Sequence, residues 1–147
     1  RGSVFRVHFE AAPMPAMAPA AAEVPALDGR QECILVAEDN EAVRRMLVRL
    51  LERMNYRVLA TENASEALRV WRSHTAEIDL LLSDMVMTGG ESGLDLARAL
   101  RRDRPDLRVV IMSGHSQELA GAGLEPDMAF LAKPWTHASL AHALGAA

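Results

Sequence analysis

The sequence predicts one doubly wound α/β domain, a parallel sheet with helices on both faces. Three observations lead there. Short apolar runs recur at residues 33–37, 57–60, 78–82, 109–112 and 128–131. Helical periodicity, or a turn-rich stretch, separates each run from the next. The runs are nearly apolar throughout instead of alternating, which is how strands buried on two faces read. Together these make five βα units, with no internal repeat of solenoid length.

The helical segments follow from their spacing. Residues 42–54 place Val43, Met46, Leu47, Leu50, Leu51 and Met54 on one face, with arginines opposite. Asn63 followed by Glu66 gives a capping-box-like start to a helix carrying Ala67, Leu68 and Trp71. A third helix is expected over 94–102, stopping before Pro105. Thr136 is expected to cap the last helix, which runs through 144. Between the fourth and fifth strands stands SQELAGAGLEP, where Gly121 and Gly123 penalise a helix. A fourth helix there is expected to be short and mobile.

Upstream, residues 11–30 hold four of the chain's seven prolines and many alanines, a composition that forms an extended linker. Residues 2–9 alternate like a short strand. Residues 1–10 therefore read as the remnant of a preceding domain or as a tag, and the folded domain as 31–147. Net charge is −4 with signs mixed, and no basic stripe points to DNA or RNA. No apolar run reaches membrane-spanning length, and no secretory signal is visible. A lone cysteine, Cys33, fits a reducing cytoplasm and reads as a buried strand residue.

In an open parallel sheet, ligands bind beyond the carboxyl ends of the strands. Glu38 and Asp39 follow the first strand there, Ser83 and Asp84 the third, Ser113 and Gly114 the fourth. Lys133, the only lysine beside 15 arginines, follows the fifth. Three carboxylates in one crevice repel unless a cation joins them, and Mg2+ suits a few carboxylates plus phosphate oxygens. Lys133 and Ser113, on the far side, offer a positive charge and a donor to a phosphoryl group. A carboxylate can itself be the nucleophile. Taken alone, Glu38-Asp39 is also a solvated helix start, Ser113-Gly114 a plain turn and Phe130 ordinary core. His74, His115, His137 and His142 lack metal-ligand spacing, although His115, two residues past Ser113 in the sequence, could touch a bound phosphate.

From residue 32 to 145 the chain resembles the receiver family of response regulators, through ILVAEDN, LLSDMVM, VVIMSGH and FLAKPW. Asp39, Asp84, Ser113 and Lys133 stand 45, 29 and 20 residues apart, in the family's order. The resemblance implies a flavodoxin-like three-layer sandwich with strand order 2-1-3-4-5. It implies Asp84 as phospho-acceptor and metal ligand, Asp39 as the direct Mg2+ ligand, Glu38 as the partner that usually acts on the metal through water, and the backbone carbonyl of Val86 as a third protein ligand. Ser113 and Lys133 become the phosphate contacts and Phe130 an aromatic switch. The donor would be a histidine kinase or a histidine phosphotransfer domain. A downstream protein would dock on the face made by the fourth helix, fifth strand and fifth helix. Thr88 stands where the family usually has proline, and the loop through Gly93 looks one residue long. The glycine pair at 89–90 is similar to receivers joined to sensor kinases, and RGSVFRVHF is similar to the closing strand of a kinase ATP-binding domain. These point to a hybrid sensor histidine kinase, cytoplasmic in a bacterium and tethered through a membrane sensor. A stand-alone regulator is the alternative. A phosphohydrolase with an aspartyl nucleophile would need a general acid where Val86 stands.

Overall fold

The computed structural model describes residues 31–88, 90, 92–114 and 127–147. Its elements are β1 (Cys33–Ala37), α1 (Glu41–Arg53), β2 (Arg57–Thr61), α2 (Ala64–His74), β3 (Ile78–Asp84), α3 (Gly93–Asp103), β4 (Arg108–Ser113), β5 (Ala129–Ala132) and α4 (His137–Ala146). The five strands are parallel and ordered β2-β1-β3-β4-β5, as expected. The expected mobile helix before β5 and the expected N-terminal strand and linker lie outside the described residues.

Alternate strand residues feed two separate cores. Cys33, Leu35, Leu81, Val109 and Ile111 face Trp71 of α2 and Leu96 and Leu100 of α3. Ile34, Val36, Leu82, Val110 and Met112 face Leu47 and Leu51 of α1 and Leu140 and Leu144 of α4. The sheet is thus covered on both sides, which accounts for its uniformly apolar strands. Cys33 is buried within it, and burial pushes its thiol up.

Two details depart from the sequence reading. Met46 is 49% exposed, because α1 turns only its Leu47–Leu51 stripe squarely to the sheet. In β3, Ile78 and Leu80 face opposite cores although two residues apart, since the β1–β3 register shifts between Cys33 and Ile34. The skipped residue, Asp79, instead accepts the Cys33 N–H at 2.7 Å. Such a bulge lets an acidic residue sit at the start of a central strand with its charge outward.

The helix starts follow cap chemistry. The Asn40 side chain accepts from the N–H groups of Ala42 and Val43, Asn63 from Glu66, and Ser92 from Asp95. Thr136 and Ser139 form a reciprocal capping box. At α2 the box is displaced by one residue: Glu66 accepts from the N–H of Glu62, not from that of Asn63. Asn55, at φ 65°, turns the chain out of α1 into β2.

Candidate functional site

Among the described residues the buried polar side chains are Glu38, Thr61, Ser83 and Ser113, all at or just past the carboxyl end of a strand. A buried polar group needs a partner or a purpose. Thr61 has a plain structural one, since its hydroxyl donates to the Val36 carbonyl at 2.8 Å. The others gather around the residues expected to carry chemistry.

Glu38, Asp39 and Asp84 each bring a carboxylate oxygen within 4.8 Å of the other two. Lys133 Nζ lies 2.7 Å from Asp84 Oδ2 and 3.1 Å from Glu38 Oε2. The lysine was expected on the far side of the crevice. It instead leans across to the carboxylates, where the attraction on an ammonium is strongest. Its main chain is held too, the Lys133 N–H donating to the Ser113 carbonyl at 2.7 Å. Ser113 is buried at the end of β4. Phe130, on β5, pairs in register with Ile111 and packs half-buried against the core beneath α2 and α3. Val86 lies beyond β3, 59% exposed, and bridges to Ser92.

Charge and burial compete inside the cluster. Burial pushes the Glu38 carboxyl up, the hydrogen bond and charge of Lys133 pull it back, and Asp84's charge adds to the rise; the net shift is upward. Burial pulls Lys133 down, but the bonds and charges of Asp84 and Glu38 outweigh it and hold the ammonium above its ordinary value. Asp39 is held low, chiefly by the Thr88 hydroxyl, with burial opposing and the Thr88 N–H adding to the effect.

Three supporting residues escaped the sequence reading. The Arg44 guanidinium donates to the main-chain carbonyls of Glu38 at 2.7 Å and Asp39 at 3.2 Å, bracing the acidic turn from the first turn of α1. In the sequence it stands among the arginines opposite the apolar face of the first helix, and nothing in its spacing distinguishes it from Arg45. Thr88 donates to Asp39 Oδ2 through its N–H at 2.8 Å and its hydroxyl at 2.7 Å. Its only signal was the departure from proline. Gly93, read as loop, is the first residue of α3. A Cβ there would lie 2.0 Å from the Asp84 carbonyl oxygen, so only glycine lets the helix start this close to the strand end.

The donor set fits a hard divalent cation: carboxylate oxygens only, without sulfur or imidazole. Octahedral Mg2+ holds its oxygens about 2.1 Å away, so opposed ligands sit about 4.2 Å apart. A spread of 4.8 Å needs only a small contraction.

A five-stranded doubly wound sheet with an acidic crevice and a lysine at its carboxyl edge defines a flavodoxin-like α/β module with a site suited to a divalent cation. The chain belongs to the response-regulator family: the model described as "Response regulator receiver domain" matches residues 34–145. It is 34% identical over 110 residues to the sensor kinase CckA of Brucella abortus, covering 74% of this chain and 12% of that one. It is 36% identical over 94 residues to the response regulator receiver protein CpdR of the same organism, covering 64% and 72%. The receiver domain of the hybrid histidine kinase CckA superposes with a TM-score of 0.64 at 33% identity, covering 77% of this chain and 95% of that one. A receiver domain from Clostridium thermocellum gives 0.70 at 29%, covering 77% and 90%. The chain spans about an eighth of CckA and a sixth of the NtrC regulator of Azospirillum brasilense, to which it is also similar. It is thus a receiver domain of two-component signalling.

Proposed function

We propose that this receiver takes a phosphoryl group from a phosphohistidine onto Asp84 with Mg2+, and signals by altering its surface. The observation that supports this best is the charge imbalance: among the described residues three carboxylates, Glu38, Asp39 and Asp84, converge, and Lys133 is ion-paired to two of them. Glu38, Asp39, Asp84 and the Val86 carbonyl would hold the ion. When bound, it supplies the positive charge that lets a phosphoryl group approach carboxylates. Without it, two unit charges 4 Å apart in a partly exposed crevice repel by about 4 kcal/mol.

The chain's own groups do the remainder. An Asp84 oxygen attacks phosphorus as the phosphorus–nitrogen bond breaks and the donor imidazole leaves. Lys133 exchanges its carboxylate partner for the arriving phosphoryl oxygens, and the Ser113 hydroxyl donates to them. Phe130 changes its packing with the movement at Ser113. The partner face would then be β5, α4 and the segment preceding β5. An exposed valine two residues after Asp84 cannot transfer protons, which supports holding the phosphate and weighs against a phosphohydrolase.

The parent chain is read as a hybrid sensor histidine kinase working at the cytoplasmic face of a bacterial membrane. The CckA similarity supports this, and the CpdR similarity supports the stand-alone alternative. Among the described residues no helix is long and apolar enough to cross a membrane. The reading frame upstream of Arg1 separates the two.

Intact-mass spectrometry with a small acyl-phosphate donor tests the site. One phosphoryl group is expected on the wild type with Mg2+, and none with chelator or in Asp84→Asn. Phosphate mapped to Ser83 or Ser113, or labelling indifferent to chelator, would overturn the assignment.

A further inference from the structure

We infer that Thr88 is a positioning residue for Asp39, committing that carboxylate to one-oxygen use and so favouring Mg2+ over Ca2+. The inference rests on the cation site proposed above and concerns how that site chooses its ion. Both donors of Thr88 converge on a single atom, Asp39 Oδ2, from 2.8 and 2.7 Å. A carboxylate oxygen has about two lone-pair sites, so these bonds occupy both on Oδ2, and an ion that leaves Thr88 in place must use Oδ1. Mg2+ demands a small octahedral shell in which each carboxylate gives one oxygen. Ca2+ takes six to eight oxygens and readily uses both of one carboxylate. With Oδ2 held, Asp39 suits the first ion and cannot chelate the second without releasing Thr88.

The arrangement depends on the residue type and on the loop. A proline would supply neither the N–H nor the hydroxyl, and any other non-hydroxyl residue only the N–H. The Met87 carbonyl accepts from the Gly90 N–H at 3.2 Å, and Gly90 stands at φ 79°, a conformation that favours glycine. That turn carries Thr88 over Asp39 across 49 residues of sequence. On the other side of the acidic turn, Arg44 holds the Asp39 carbonyl. The carboxylate is therefore set from both its main chain and its side chain before any ion arrives. Thr88 is exposed, so replacing it leaves the core alone.

The test is calorimetric titration of the whole chain with MgCl2 and with CaCl2 at matched ionic strength. The variants are Thr88→Val, which keeps the shape and the N–H, Thr88→Ser, which keeps both donors, and Thr88→Pro, which loses both. Losing a group that orients a metal ligand weakens metal binding by about 10–100-fold. For Thr88→Val about a tenfold loss in Mg2+ affinity is expected, with a smaller loss for Ca2+, so that the Mg2+ to Ca2+ preference falls. Thr88→Ser should restore both affinities and Thr88→Pro should lose more than Thr88→Val. If the proline variant does not fold, the valine and serine pair decides the matter.

Thr88→Val binding Mg2+ as tightly as the wild type, or more tightly, overturns the inference. So does a loss equal for both ions. A wild type that takes up no Mg2+ overturns the cation site itself, and the inference with it.

Discussion

A methyl group at Gly93 would press on main chain that cannot yield. Its Cβ would lie 2.0 Å from the Asp84 carbonyl oxygen and 2.6 Å from Ser83 Oγ. The Gly93 N–H also donates to the Met85 carbonyl at 2.9 Å, so the helix start and the strand end are joined at this residue. Overpacking in a well-filled place costs about 1–3 kcal/mol, and more where backbone must move. Gly93→Ala is therefore expected to lose at least about 2 kcal/mol in urea unfolding, and to weaken Mg2+ binding because Asp84 shifts with its carbonyl. A variant with wild-type stability would show that α3 can start farther from the strand. Lys133 shows the same dependence on atomic fit. A compact ammonium can face Asp84 and Glu38 at once, whereas a planar guanidinium presents its donors in a fixed fork.

Between helices, one side chain reaches all three members of the joint of α2, β3 and α3. Arg104, just past α3, donates to the Thr75 carbonyl at 2.9 Å and also to the Ile78 carbonyl, at the end of α2 and the start of β3. Its guanidinium lies 5.3 Å from the centroid of the Trp71 ring, whose N–H donates to Asp103 at 3.0 Å. Two carbonyls and an aromatic face suit a flat fork and do not suit a point charge. Arg104→Lys is expected to lose about 1–2 kcal/mol, since a bond to a charged donor is worth about that much or somewhat more. Equilibrium denaturation checks it, with an unchanged m-value if the fold is kept. An unshifted midpoint would mean that the two carbonyls find equal partners in water. α4 packs Leu140, Ala141, Ala143 and Leu144 on the sheet. Arg108 of β4 holds its end by donating to the Leu144 and Ala147 carbonyls.

Among the described residues, the carboxyl that burial disfavours lies at the acidic edge of the sheet. Glu38 is 1% exposed and its carboxyl is pushed up by burial, against the pull of Lys133. The folded state gathers this charge and the unfolded chain disperses it, so an ion that binds only the folded state stabilises by mass action. At a free Mg2+ concentration a hundredfold above Kd the gain is about 2.7 kcal/mol. Thermal unfolding should therefore move to higher temperature with MgCl2 relative to a monovalent salt of equal ionic strength, and return with chelator. Matching ionic strength matters, because plain screening also relieves repulsion between charges near the surface. Equal melting in the two salts would mean that the acidic edge holds no ion.

The order of strands and helices was legible because each element signals locally. Period, caps and breakers lie within about a dozen residues, and most boundaries fall within a residue of those expected from them. The site was legible for a related reason. A parallel doubly wound sheet brings every strand's carboxyl end to one edge, so Glu38, Asp39, Asp84, Ser113 and Lys133 had to be neighbours once the strands were placed. What could not be read were contacts decided atom by atom between distant segments. Lys133 leaning onto Glu38 and Asp84, Thr88 saturating one oxygen of Asp39 and Arg44 bracing the acidic turn depend on side-chain reach after the backbone is set. The outward turn of Met46 and the bulge at Asp79 belong to the same group, since they follow from how α1 sits on the sheet and how β3 registers with β1. Local free energy selects the elements, and only their packing settles which of several chemically equal groups meet.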